Sequence, residues 1–141
     1  MIGILLITHN GLGDSLVDCV RHVRGNVASN LKVLSVLADD DPQLKEQEGR
    51  ELMKQLDTGE GVLVLSDMFG ATPCNIGRRL SEPGRVLGVA GVNLPMLLRA
   101  VCNSHKPLAE VAQKSLECGR DCIVAMDSYE ECYVESRCVN H

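Results

Sequence analysis

Two apolar runs of strand length, each closing on a polar residue, constrain this chain more than any other feature. The first is Ile2-Gly-Ile-Leu-Leu-Ile-Thr8, followed by His9-Asn10-Gly11. The second is Gly61-Val-Leu-Val-Leu-Ser66, followed by Asp67-Met-Phe-Gly-Ala-Thr-Pro73. Both read as strands buried on two faces, the pattern of a parallel sheet covered by helices on each side. Ligands of such sheets bind beyond the carboxyl ends of the strands, where the strand order reverses. An imidazole and a carboxylate are thereby expected at the one edge of the fold where chemistry occurs.

The rest of the pattern alternates helix with strand. Leu12 to Val23 carries a helical stripe at 12, 16, 19, 20 and 23, and Gly25 is a natural stop. Leu31–Leu37 is a second strand ending in Asp39-Asp40-Asp41. Asp41-Pro42 then opens a helix by capping, with Leu44, Leu52, Met53 and Leu56 expected inward. After Val62–Ser66, Thr72-Pro73 opens a short helix to about Leu80, and Arg85–Gly91 is a fourth strand. Pro95 sits in the first turn of a helix to about Cys102, and Pro107 starts another that is expected to end at Gly119. Cys122–Ala125 is a candidate fifth strand, either at the sheet edge or exchanged with a second copy. The expectation is a doubly wound α/β fold with a mainly parallel sheet, flavodoxin-like in its order 2-1-3-4, and helices on both faces. Residues 1–126 form one domain in this reading, and 127–141 a polar tail.

With 141 residues the chain suits one domain with a real core. Nineteen acidic side chains against fourteen basic, with no basic run, argue against nucleic acid or an anionic membrane as partner. The aromatics are Phe69, Tyr129 and Tyr133, too few for a base-stacking platform. No apolar segment approaches the roughly 18–20 residues of a membrane span, and the first run is too short for a signal peptide, so a cytoplasmic protein is expected. In that compartment the seven cysteines read mostly as small buried hydrophobes. Cys118, Cys122, Cys132, Cys138 and His141 match no standard zinc spacing, and no metal is expected.

His9 and Asp67 are the candidate catalytic pair. If the strands lie in the expected order, the carboxylate accepts a hydrogen bond from one ring nitrogen, which fixes the tautomer and bares the other nitrogen as a nucleophile. Gly70, Ala71 and Thr72 lead into a helix start, whose free N–H groups and the Thr72 hydroxyl form a candidate phosphoryl-binding site. Taken singly, each residue has a plain role as loop, turn or cap; their convergence at one switch point favours function. The rival is a nucleotide-binding module, suggested by Gly11-Leu12-Gly13. There Leu16 stands where the fingerprint needs a third glycine.

Thr8-His9, Asp67-Met-Phe-Gly-Ala-Thr-Pro-Cys-Asn75 and Gly91-Val-Asn-Leu-Pro-Met-Leu97 together resemble the mannose-type enzyme IIA component of the bacterial phosphoenolpyruvate:sugar phosphotransferase system. The resemblance runs from the first strand to about Met126. It implies that His9 is transiently phosphorylated by the histidine phosphocarrier protein and discharges to a IIB component. Asp67 would orient it, with Thr72 and the helix start on the phosphoryl oxygens. It also implies a homodimer with an exchanged carboxyl-terminal strand, and no cofactor. A related alternative is the phosphoryl-donor subunit of a dihydroxyacetone kinase, which shares this fold. Many relatives carry glycine directly after the histidine, where this chain has Asn10. No stretch resembles a linked IIB domain or a membrane segment, so the expected role is to feed a separate permease or to report phosphorylation state.

Overall fold

A computed structural model of the chain describes residues 1–27 and 29–127. Strand and helix alternate through β1 (Gly3–His9), α1 (Leu12–Arg24), β2 (Leu31–Val36), α2 (Pro42–Leu56), β3 (Val62–Ser66), α3 (Thr72–Leu80) and β4 (Val86–Ala90), and two helices follow, α4 (Leu94–Cys102) and α5 (Leu108–Asp121). The sheet has the order β2-β1-β3-β4 with every ladder parallel, as the strand and crossover pattern requires. Ile7 lies opposite Ser66, and His9 opposite Val36. Strand β1 therefore runs two residues past the end of β3, which sets His9 beside the loop that follows Ser66.

The unbroken apolar runs are explained by a core on each face. Ile2, Ile4, Leu6, Leu63 and Leu65 pack with Val20, Leu97, Ala100 and Val111 of α1, α4 and α5. Leu5, Ile7, Val62 and Val64 pack with Leu56, Ile76 and Leu80 of α2 and α3. Successive residues of β1 thus serve opposite cores, which a strand can do because its side chains alternate. The acidic loop before α2 is a local brace: Asp40 Oδ2 accepts from the Leu37 N–H (2.7 Å), and Asp41 Oδ1 caps the helix through the Gln43 N–H (2.9 Å).

Four expectations are corrected. Leu44 is exposed; the inward stripe of α2 is Gly49, Leu52, Met53 and Leu56, and Leu44 lies about 140° round the helix from Gly49. Gly119 does not end α5 but is buried inside it. A Cβ there would meet Met96 Cε at 2.8 Å, so this glycine lets α4 and α5 approach closely. Cys122–Ala125 is not an edge strand of this sheet: Cys122 is in a turn after α5, and 123–125 join no ladder among the described residues. Of the cysteines, Cys74 and Cys118 are buried as expected, whereas Cys19 is exposed. The 128–141 part of the expected tail, with Cys132, Cys138, His141, Tyr129 and Tyr133, lies outside the described residues. Among the described residues no helix is long and apolar enough to cross a membrane.

Candidate functional site

At the sheet edge, His9 is the last residue of β1 and Asp67 the first residue after β3. Asp67 Oδ2 accepts twice from the same residue, from the His9 backbone N–H at 3.0 Å and from ring Nδ1 at 2.7 Å. Two bonds to one oxygen fix both the backbone and the ring plane of the histidine. The imidazole is 44 % exposed and the carboxylate only 9 %, so the ring is presented to solvent by a nearly buried anion. Burial alone would raise the Asp67 carboxyl. The backbone and ring hydrogen bonds from His9, with the charge of its imidazolium form, outweigh that and hold the carboxyl below its ordinary range. Asp67 is therefore ionised at neutral pH and accepts only, which places the proton on Nδ1 and the lone pair on Nε2.

The loop after Asp67 has the expected form. Gly70 is in the left-handed region (φ 85°), Ala71 is the N-cap of α3, and Thr72 is its first residue. No side chain caps this helix; α1, which starts at Leu12 after N-cap Gly11, has no cap from that residue, and the Thr8 hydroxyl takes its Gly13 N–H instead. By contrast α2 and α4 are capped by Asp41 and Asn93. The start of α3, which follows Asp67, thus leaves backbone N–H groups without a side-chain cap, a partial positive charge suited to an anion. The structure brings His9 and Asp67 together; the exposed Thr72 hydroxyl makes no hydrogen bond among the described residues.

The turns around the pair carry further features. Thr8, wholly buried, accepts the Gly13 N–H at 2.8 Å and ties the start of α1 to β1 directly before His9. A Cβ on Gly13 would lie 2.7 Å from Val33 Cγ1 and 2.8 Å from Thr8 Oγ1, so this glycine serves packing against the sheet. Asn10 occupies the left-handed region at φ 47°, a conformation asparagine tolerates better than most residues. The Gly11-Leu12-Gly13 pair belongs to this turn, while Leu16 packs against the core. Asn93 explains part of the Gly91–Leu97 string: it caps Met96 N at 2.9 Å and donates to the Gly119 carbonyl at 3.0 Å. A cavity of about 180 Å³ beneath Phe69 is lined by Ser66, Cys74, Arg78 and Val89 among others, and His9 is not in its wall. No cluster suited to a metal ion occurs among the described residues.

Residues 3–116 match the family model described as PTS system fructose IIA component. The chain is 27% identical over 128 residues to the mannose-specific EIIAB component of Escherichia coli (strain K12), covering 89% of this chain and 39% of that protein. The mannose-specific EIIAB component of Shigella flexneri matches to the same extent. The chain thus spans about two fifths of the length of these curated relatives. Among solved structures, the mannose/sorbose-specific IIA subunit from Enterococcus faecalis superposes with a TM-score of 0.80 at 22% identity, covering 93% of this chain and 98% of that one. Phosphotransferase system component EIIA from Streptococcus agalactiae gives 0.79 at 20% identity, covering 89% and 97%.

Proposed function

Because the chain belongs to the PTS fructose IIA family, we propose that it is a phosphoryl relay of the sugar phosphotransferase system in which His9 Nε2 is the acceptor. The observation that carries this reading is the 2.7 Å contact from Asp67 Oδ2 to Nδ1, which leaves Nε2 as the nucleophilic nitrogen. In the first step Nε2 attacks the phosphorus of the phosphohistidine on the carrier protein, in line with the donor N–P bond. That bond breaks, and its electron pair leaves with the donor imidazole. The positive charge that grows on the His9 ring stays next to Asp67, and the Nδ1 proton is held throughout. Backbone N–H groups of Gly70, Ala71 and Thr72 stabilise the phosphoryl oxygens. Discharge to a IIB acceptor reverses the same geometry, breaking the Nε2–P bond.

Residues 1–126 constitute the acceptor domain in this reading, with 127–141 as its tail. We infer a homodimer as well. Strand β4 pairs only with β3 among the described residues, and Ile123, Val124 and Met126 beyond α5 are exposed. A parallel edge unpaired among the described residues and an exposed apolar segment are complementary between two copies. Light scattering on the purified chain should give twice the chain mass.

The test of the relay is incubation with phosphoenolpyruvate, enzyme I and the histidine phosphocarrier protein, read by intact mass. One acid-labile phosphoryl group should appear, and none in His9→Ala. Retention of the adduct in that variant would move the acceptor elsewhere.

A further inference from the structure

Strand β4 has a glycine at its centre, and the space beside it is not filled by the chain. In register with β3, Val86, Gly88 and Ala90 stand next to Val62, Val64 and Ser66, on the side of the sheet that carries α2 and α3. The cavity of about 180 Å³ beneath Phe69 lies between this face and α3. Cys74, Gly77, Arg78 and Ser81 line it at i, i+3, i+4 and i+7, which is one face of the helix. Glycine inside a strand weakens it and commonly marks where something else approaches closely. At Gly88 the φ angle is not in the left-handed region, and a Cβ would find its nearest neighbour, Ser81 Oγ, only at 3.7 Å. The glycine therefore answers neither a turn nor a packing contact within the chain.

The walls have a definite chemistry. Ser66 is 4% exposed, yet its Oγ has no hydrogen-bond partner among the described residues and borders the cavity. A buried hydroxyl left unpaired is costly, so an oxygen atom inside the cavity is favoured. The other hydroxyl of the wall, on Ser81, already donates to the Gly77 carbonyl (3.0 Å). At the mouth, exposed Arg78 makes no ion pair among the described residues. Between Ser66 and Arg78 the wall is apolar, formed by buried Val64, Cys74 and Gly77. Water in such a space meets few polar groups and is readily displaced. A cavity of about 150 Å³ admits benzene, so this one suits about six or seven non-hydrogen atoms.

We propose that this cavity binds a small organic acid, a carboxylate of about four carbons that carries a hydroxyl or oxo oxygen along its chain. The carboxylate pairs with Arg78 at the mouth, the chain lies on Val64, Cys74 and Gly77, and the second oxygen accepts from the Ser66 hydroxyl. One cation and one inward hydroxyl suit a carboxylate better than a phosphate, whose greater charge and three oxygens call for more donors than these walls present. Ser66 directly precedes Asp67, and Phe69 follows it by two residues, so the ligand touches the chain on both sides of Asp67. The site does not depend on the relay reading, because neither His9 nor Asp67 lines it. A second copy paired along β4 extends the sheet in its own plane, and the cavity stands above that plane.

Amide NMR titration of the full ¹⁵N-labelled chain tests the site. 3-Hydroxybutyrate should shift the Gly77, Ser81 and Gly88 resonances saturably at millimolar concentration, with inorganic phosphate and 1,3-butanediol about tenfold weaker or worse. Ser66→Ala should lose about tenfold in affinity for 3-hydroxybutyrate and nothing for butyrate, which offers the hydroxyl no oxygen. Exposed Arg78→Gln should lose about tenfold for both acids. Gly88→Val sets its methyl groups where the ligand chain lies, and should abolish binding with urea stability no lower than the parent's. No saturable shift with 3-hydroxybutyrate in the parent overturns the site, and so does unchanged binding in Gly88→Val. Phosphate binding as tightly as the acid, or unchanged binding in Arg78→Gln, overturns the carboxylate assignment. An equal loss of both acids in Ser66→Ala overturns the role of its hydroxyl.

Discussion

Asp67→Asn tests the central geometry because it changes charge while keeping shape. The amide has two orientations, and the structure gives each a cost. With its oxygen at the Oδ2 position, both bonds from His9 survive, and the NH₂ group takes the place of Oδ1, which is buried with no hydrogen-bond partner among the described residues. An unpaired buried donor costs about 1–3 kcal/mol of stability. The bond to Nδ1 also loses its charge. Hydrogen bonds to charged groups contribute about 1.5–3 kcal/mol against about 1 for neutral ones, so the imidazolium-like transition state loses about 0.5–2 kcal/mol, close to tenfold in rate at the middle of that range. In the flipped orientation the amide faces the His9 N–H donor with another donor and holds the ring proton on Nε2, a tautomer that in a serine protease triad costs about 10⁴ in rate. The expected loss therefore lies between about 10 and 10⁴. Single-turnover labelling by phosphoramidate and by the protein donor measures it, with urea unfolding to establish the fold and ¹⁵N shifts of labelled histidine to read the tautomer. A folded Asp67→Asn that charges within threefold of the parent would refute the role of Asp67.

Gly13→Ala should destabilise the protein by about 1–3 kcal/mol in urea melts although alanine gains about 1 kcal/mol in helix propensity, because its Cβ would sit under 3 Å from Val33 and Thr8; an increase in stability would refute the packing role. Asn10→Gly should be close to neutral and Asn10→Val should cost about 1–2 kcal/mol, since φ 47° is strained for a β-branched residue; equal melting of the two variants would contradict this. Asp57 accepts from the Gly59 N–H (2.8 Å), the Gly61 N–H (3.2 Å) and Arg85 (2.5 Å). The Gly59 bond leads the causes that, against burial, lower its carboxyl from the ordinary value. A lowered folded-state value stabilises above the ordinary carboxylate pKa of about 3.9 and is lost as pH falls through the folded value below it. Asp57→Ala should therefore cost about 1–3 kcal/mol at pH 7, and the gap to the parent should narrow by pH 2. A gap of constant size would show that the charge is not involved.

The strand order was legible because two doubly buried runs can only be joined as parallel neighbours through crossovers, and the chain supplies a helix between each pair. The meeting of His9 with Asp67 followed from that order alone. What stayed hidden depends on rotation and contact. Leu44 reads as an inward residue until Gly49 fixes which side of α2 faces the sheet, since the stripe is carried by a residue with no side chain. Gly119 reads as a stop because buried and terminal glycines look alike until Met96 is seen against it.

The site is an outgrowth of how the sheet ends. The Asn10 N–H turns toward β2 and bonds Val36, whereas the His9 N–H turns toward β3, where the ladder would offer the next carbonyl. On the other side of β3, the Ser66 carbonyl accepts from the Gly91 and Val92 N–H groups (both 2.9 Å). The side chain of Asp67 takes over as acceptor for the His9 backbone, and the same oxygen reaches the ring. One carboxylate thus satisfies a buried donor at the strand end and sets the tautomer of the acceptor. Register and chemistry are coupled as a result. A slip of β1 against β3 by a single residue would carry His9 to the opposite face of the sheet and away from Asp67, so the pairing of Ile7 with Ser66 is itself a condition of the relay.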